Sequence, residues 1–341
     1  MDRKLFSALI LISFIFATGV RGASSQEAFY KGKAIRIIVG FSAGGGYDTY
    51  ARLIARHLPK YVPGNPVVTV ENMAGAGSLI SANHVYKVAK PDGLTIGHFI
   101  GGLFLQQLLG KPGIEFDARK FEYIGVPAQD EFMLGVSKAS GVTTAEQLMA
   151  SKTPLKLGGV STGSGTDDLP NILKATIGLP VQLVSGYKGT ADIRLAFNSG
   201  EVQGVSNSWQ SFRATWRKEL DAGDLIIVLQ QTLKPHPELP NVPVAINLAK
   251  TEEAKKLIRA VVQVHGPTVR PFTLPPGTPK ERVQLLRKAF LEAMKDQELL
   301  AEAKKARLEI NPMDGMELER GIREIFGLDT ALVAELKDIL K

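Results

Sequence analysis

IRIIVGFSAGGGYDTYAR, residues 35–52, decides how the rest of the chain is read. Ile35 to Gly40 is a β-branched apolar run and reads as a strand. Phe41-Ser42-Ala43-Gly44-Gly45-Gly46-Tyr47-Asp48 is a glycine loop. Tyr50, Leu53, Ile54, His57 and Leu58 then recur at helical spacing and mark one face of a helix. Strand, glycine loop and helix N-terminus in that order place backbone N–H groups where an anion can be held.

The pattern repeats outward. Val67–Val70, Leu94–Phe99, Tyr123–Val126, Leu155–Val160, Val181–Val184, Val202–Ser206 and Leu225–Leu229 read as further strands. Leu79, Ala82, Tyr86 and Ala89 mark a second helix, stopped by Pro91-Asp92-Gly93. Such alternation argues for an α/β chain with mostly parallel sheets and helices on both faces. The last third is helical. Thr278-Pro279-Lys280-Glu281 reads as a capping box ahead of Val283, Leu286, Phe290 and Met294. Leu318, Ile322 and Ile325 mark another helix. Asp329 caps the final one, with Leu332, Leu336 and Ile339 inward.

Three more loops share the composition of the first: Asn72–Ser78, Gly158–Asp167 and Ser185–Thr190. Each follows a strand and precedes a helix, and in open α/β sheets ligands bind at the carboxyl ends of strands. Four such loops without a matching set of acids, bases or metal ligands describe a binding cleft. Gly75-Ala76-Gly77 opens like a dinucleotide fingerprint, but Ile80 stands at the third glycine position. Gly159-Val160-Ser161-Thr162-Gly163 matches the hydrolase elbow, with His236 and His265 downstream. Its loop, however, runs on through Gly165 before any helical pattern begins. The histidines (His57, His84, His98, His236, His265) form no ligand-spaced pair, and Asp130-Glu131 and Asp167-Asp168 are merely adjacent, so no metal and no cofactor is expected. Asp48 reads equally well as a helix-dipole partner and as an orienter of the glycine loop that reaches the ligand.

The N-terminus sets the compartment. Arg3 and Lys4 precede Leu5–Ala17, an uncharged stretch of 13 residues, and small residues lead to a cut near Gly22/Ala23. This reads as a signal peptide over 1–22, too short for a spanning helix, and an exported protein is expected. The chain has no cysteine, which excludes disulfides and lipid anchoring at the cut. Losing Arg3, Lys4 and Arg21 with Asp2 lowers the formal charge from +7 to +5. That diffuse excess suits anionic solutes. No basic block points to nucleic acid.

Residues 35–52 also resemble the opening motif of the tripartite tricarboxylate transporter substrate-binding proteins, the Bug family. The family's aspartate falls on Asp48 and its Ala-Arg pair on Ala51-Arg52. Its Gly-Ala-Gly loop before a helix ending in Pro-Asp-Gly falls on Gly75–Gly77 and Pro91–Gly93. Its serine/glycine loop falls on Ser161–Thr166, its Tyr-Lys-Gly on Tyr187–Gly189, and its late Pro-x-Gly-Thr-Pro on Pro275–Pro279. The resemblance implies a two-lobed, type II periplasmic-binding-protein clamshell with mixed sheets flanked by helices. Residues 26–129 plus 235–341 would form lobe one and 130–234 lobe two. It further implies a periplasmic monomer that presents a small organic acid to membrane permease subunits. Carried over, Ala43, Gly44, Gly45, Gly46, Tyr47, Asp48, Ala76, Gly77 and Ser78 line the cleft from lobe one. Ser161, Thr162, Gly163, Ser164, Thr166, Tyr187, Lys188, Gly189, Thr190, Ser206 and Asn207 line it from lobe two. Tyr47 replaces a usual small residue, so its ring narrows the pocket or stacks on the ligand. Gln129-Asp130-Glu131 is unusually acidic for an anion binder. Pro243-Val244 replaces the common Pro-Thr, and the later Glu-x-Gly is missing. These departures mark an outlying branch. The alternatives are a secreted serine hydrolase using Ser161 and a receptor read by a membrane sensor.

Overall fold

The computed structural model describes residues 29–340; the expected signal segment 1–22 and its cut lie outside them. The chain builds two sheets in succession. For the first it lays down β1 (Ala34–Val39), α1 (Gly46–His57), β2 (Val67–Asn72), α2 (Leu79–Lys87), β3 (Thr95–His98), α3 (Gly102–Leu108) and β4 (Glu122–Val126). For the second it lays down β5 (Phe132–Ser137), α4 (Ala145–Met149), β6 (Leu155–Gly158), α5 (Gly165–Ile177), β7 (Val181–Val184), α6 (Thr190–Asn198), β8 (Gly204–Ser208), α7 (Trp209–Thr215), α8 (Arg217–Asp221) and β9 (Leu225–Gln231). After α9 (Glu252–His265) it returns with β10 (Phe272–Leu274), α10 (Lys280–Ala293), α11 (Gln297–Lys305), β11 (Met313–Asp314), α12 (Gly315–Phe326) and α13 (Thr330–Ile339).

Strand order is β11-β4-β10-β3-β1-β2 in the first sheet and β7-β6-β8-β5-β9 in the second. β1 pairs in parallel with β2 and β3, and β6 with β7 and β8. β10 and β11 run antiparallel to their neighbours, and so does β5, which lies between β8 and β9. The sheets are therefore mixed, which corrects the mostly parallel arrangement read from strand–helix alternation. The reason is specific: β5 and β10 are buried along almost their whole length, so neither shows the period-two signal of a half-exposed strand.

β1 buries Ile35, Ile37, Ile38 and Val39, because α-helices cover both faces of its sheet. One apolar cluster packs Ile35, Ile37 and Val39 against Tyr50, Leu53 and Ile54 of α1 and Val283, Leu286 and Phe290 of α10. The other runs from Ile38, Phe99 and Phe104 into the second sheet without a break. The residues read as inward on the final helices are buried, except that Ile339 is half-buried. Asp329 caps α13 through the N–H groups of Ala331 and Leu332. The capping box at Thr278 does not form: Pro279 is itself the N-cap of α10, and the Thr278 hydroxyl donates to Pro275 O at 2.8 Å.

The chain passes between the sheets at 127–131 and again at 266–271. These two segments lie side by side, with Asp130 N donating to Gly266 O at 3.1 Å. α9 packs on α5 of the second sheet, so it sits with that sheet although it follows residue 235. Among the described residues no helix is long and apolar enough to cross a membrane.

Candidate functional site

A narrow cleft opens between the two sheets. It holds about 450 Å³ of empty space counting its mouth, of which only about 40 Å³ accepts the centre of a water molecule. Its walls are the residues that start helices. Gly45, Gly46 and Tyr47 come from α1, Ser164, Gly165 and Thr166 from α5, Thr190 from α6, and Ser208 and Ser211 from α7. The first N–H groups of a helix have no partner within it and carry a partial positive charge. α9, α11, α12 and α13 have their N-termini capped by their own Thr251, Asp296, Asp314 and Asp329 side chains. α1, α5 and α6, at the cleft, have no side-chain cap, as is also true of α2, α3, α8 and α10, whereas α7, also at the cleft, is capped by Ser208.

Of the residues expected in the site, Gly45, Gly46, Tyr47, Ser164, Thr166, Thr190 and Asn207 line this cleft. The others stand behind or beside it. Ala43 and Gly44 are exposed, and Asp48 is buried beneath them, accepting from Gly44 N, Arg52 Nε and Asn72 Nδ2 at 2.9–3.0 Å. Burial works to raise the Asp48 carboxyl, but Arg52, Gly44 N–H and Asn72 together hold it below the usual carboxylate range. Asp48 sits in the first turn of α1 and also holds the glycine loop through Gly44 N, which fits both of its readings. Ser78 is fully buried and accepts from Ile100 N at 3.0 Å. Ala76 is exposed, whereas Gly77 lies against Ser161, with φ +60° and no room for a Cβ there. Thr162 O accepts from Lys111 Nζ at 2.5 Å, and Gly163 N donates to Asp168 at 2.9 Å. Lys188 O accepts from Ser42 N at 3.2 Å, which ties the Tyr187–Gly189 loop to the opposite wall. Ser42 Oγ adds a 2.6 Å bond to Asp192, and Gly189 packs beside Ser42. The Tyr187 hydroxyl turns away to Glu201. Ser206 is buried, bonded to Gly165 O and Gln231.

Arg270, absent from the sequence reading, is the charged residue at the centre. It lines the cleft while only 1% exposed, and follows α9 on the returning crossover. Nε and Nη2 each reach an Asp130 carboxylate oxygen at 2.8 Å, and Nη2 also donates to Ser208 Oγ at 3.0 Å and Ser211 Oγ at 2.9 Å. The rings of Tyr47 and Tyr50 cover the guanidinium at 4.7 and 4.9 Å. Burial opposes its charge, but Asp130 outweighs burial and the group stays protonated. Burial pushes Asp130 up, with Arg270 acting against it. Both acids of the crossover thus have a partner in place: Asp130 pairs with Arg270, and Glu131 lies 3.2 Å from His236. The one legible sign of Arg270 was a lone charge inside Thr268-Val269-Arg270-Pro271-Phe272.

Tyr47 narrows the cleft as the sequence suggested. Its hydroxyl is taken by Val269 O at 2.6 Å, and its ring packs on Phe41 and His98. His98 is buried against Phe272, and burial, with Arg270 adding to it, drives its pKa down to about 3. Ser161 has no base among the described residues. Its hydroxyl donates to Thr162 O at 3.3 Å, while His265 bonds Asp168 and His236 lies on Glu131. His57, Asp296 and Glu298 come within 4.8 Å of one another, but Lys60 already bridges both acids.

Residues 50–337 match a family model described as the tripartite tricarboxylate transporter family receptor. The UPF0065 protein in the gbd 5′ region of Cupriavidus necator is 29% identical over 278 residues, spanning 80% of this chain and 78% of its own. The periplasmic binding protein BugD superposes with a TM-score of 0.74 at 21% identity, over 91% of this chain and 98% of its own. MatC of Rhodopseudomonas palustris, solved with malate, gives 0.71 at 19% identity over 91% and 99%. A second R. palustris protein, solved with adipate, gives 0.73 at 22% over 91% and 98%. These likenesses establish the two-lobed binding-protein fold.

Proposed function

The chain belongs to the tripartite tricarboxylate transporter receptor family, and on that premise we propose that it captures a small organic carboxylate in the periplasm and delivers it to the membrane subunits of such a transporter. The observation that carries this reading is the set of uncapped N-termini of α1, α5 and α6 that meet across one narrow cleft. Malate and adipate in the structurally similar proteins point the same way. On this reading the cleft binds its solute unchanged, in keeping with the receptor family. Six of the glycine-loop residues expected in the site line the cleft directly, and Asn207 at the end of β8 joins them.

Closure brings the sheets together by a hinge at the paired crossovers. We place one lobe around the first sheet and the other around the second, with the return crossing near Gly266 rather than at 234/235, because α9 packs on α5. The mature protein acts as a monomer, with one solute per chain.

The test is a thermal-shift screen against mono-, di- and tricarboxylates, amino acids and neutral sugars. A carboxylate at about 100 times its dissociation constant adds about 2.7 kcal/mol, several degrees for a chain of this size. Stabilisation by sugars or cations alone would sink the reading. So would hydrolysis of a p-nitrophenyl ester that disappears in Ser161→Ala.

A further inference from the structure

Two side-chain donors in the cleft wall are fully buried and have no partner: Arg270 Nη1 and Asn207 Nδ2. Their remaining polar atoms are committed. Nε and Nη2 of Arg270 serve Asp130, Ser208 and Ser211, and Asn207 Oδ1 accepts from Ser208 N at 3.0 Å. A buried donor left without an acceptor is unfavourable, and a charged one more so. These two groups come from different segments, Asn207 from β8 and Arg270 from the returning crossover, which meet where Arg270 bonds Ser208 beside Asn207.

The charge distribution matters as much as the vacancy of the donors. Asp130 occupies the Nε/Nη2 edge of the guanidinium, so the ion pair is neutral overall but turns its positive end, Nη1, away from the acid. That end lies beside the first residue of α1: a Cβ on Gly46 would sit 3.2 Å from Nη1 and 3.1 Å from Nη2. The unpaired guanidinium nitrogen therefore lies close to the N-terminus of a 12-residue helix, with Ser211 packed beside both. A carboxylate oxygen next to Nη1 would also feel that helix end.

Around that point the side-chain hydroxyls are largely committed: Ser164 and Thr166 are bonded to Asp167, and Ser208 and Ser211 to Arg270. Phe41, Ile100, Phe132 and Val160 supply apolar surface. A second carboxylate or a hydroxyl laid against that apolar surface would be desolvated there without replacement hydrogen bonds.

We propose that Arg270 Nη1 and Asn207 Nδ2 together receive one carboxylate of the solute, and that the solute is a monocarboxylate with an apolar body lying against Phe41, Ile100, Phe132 and Val160. This rests on the carboxylate-receptor reading and narrows it. It also gives the acidic crossover a role: Asp130 holds Arg270 in position and leaves its far edge for the ligand.

Calorimetric titration of the mature chain with sodium benzoate, hexanoate, malate and citrate, and with benzamide, tests it. Benzoate or hexanoate is expected to bind at least about tenfold tighter than malate or citrate, and benzoate tighter than benzamide. Asn207→Asp keeps the acceptor for Ser208 N but replaces the free donor. It should weaken benzoate at least about tenfold while leaving benzamide much less affected. Arg270→Lys keeps a cation for Asp130 but removes the Nη1 edge, and should weaken benzoate about a hundredfold. If Arg270→Lys does not fold, Asn207→Asp and the ligand series still decide. Tighter binding of citrate or malate than of benzoate and hexanoate overturns this proposal and leaves the receptor reading standing, as does unchanged benzoate affinity in folded variants. Failure of every carboxylate overturns both.

Discussion

The two glycine loops that line the cleft, Phe41–Asp48 and Gly158–Asp167, both end in an aspartate and put that acid to different uses. Each ends in an acid within the first turn of a helix. In the first loop Asp48 faces backward, taking Gly44 N, Arg52 and Asn72, and the start of α1 is left turned toward the cleft. In the second, Asp167 folds over its own loop and accepts from Val160 N at 2.7 Å, Ser164 Oγ at 2.8 Å, Thr166 Oγ1 at 2.7 Å and the Ser185 hydroxyl. Asp168 beside it takes Gly163 N and His265. In the second loop the acid gathers the hydroxyls of its own loop, whereas in the first the acid braces the loop from behind; in both, the start of the helix has no side-chain cap. A motif names which groups are present; only the fold shows which are still free.

Acid should separate the two walls most strongly. His98, packed under Tyr47 behind the first loop, is held neutral with a pKa of about 3, against 6.5 for the free side chain. The folded protein refuses a proton that the unfolded chain accepts, so its stability is full above about pH 6.5 and falls as pH descends toward 3. The slope from this one group approaches about 1.4 kcal/mol per pH unit. Urea unfolding at pH 7, 5 and 4 should show a smaller loss in His98→Gln than in the wild type. Equal losses would mean that His98 does not carry the effect.

Asp167→Ala probes the second loop. Four donors lose one acceptor at a buried site, and about 3 kcal/mol of stability should go with it. The companion Asp48→Asn, at a partly solvated ion pair, should lose about 1 kcal/mol. A reversed order in denaturant midpoints would break the contrast.

How much of this was legible in the sequence depends on the kind of signal. β1 and β7 were readable because β-branched runs between turn residues leave few alternatives, and the loops stood out through their glycines. β5 was not: Phe132–Val136 is buried on both faces between β8 and β9, which removes the alternation that marks a strand. Arg270 and Asp130 were both visible, one as a lone cation and the other as an acid that looked out of place, yet 140 residues separate them. Their complementarity exists only once the crossovers lie together. Composition likewise could not show that Asp48 stands behind its loop while Asp167 lies across its own.

The smallest effect expected is at the contact between the walls. Ser42→Ala removes the 2.6 Å bond to Asp192 and leaves the Ser42 N to Lys188 O bond in place. The lost bond joins the two walls of the cleft, so if closure accompanies binding, solute affinity should fall about fivefold, with little change in unfolding midpoint. An unchanged dissociation constant would show that this contact does not hold the closed form.

The order of strands also dictates an order of assembly. Every strand of the second sheet comes from the unbroken stretch 132–231, so that sheet has all its parts before residue 240 has been made. The first sheet does not. β10 is the slat between β3 and β4, and it arrives only at Phe272, long after both neighbours. Until then β3 and β4 each present an open edge on either side of an empty slot, the kind of surface on which a stray strand can pair. A chain that folds from its N-terminus thus finishes its middle before its beginning. The interval in which that slot stands empty is when the protein is most exposed to misassembly, and a binding partner that fills the slot would lengthen it.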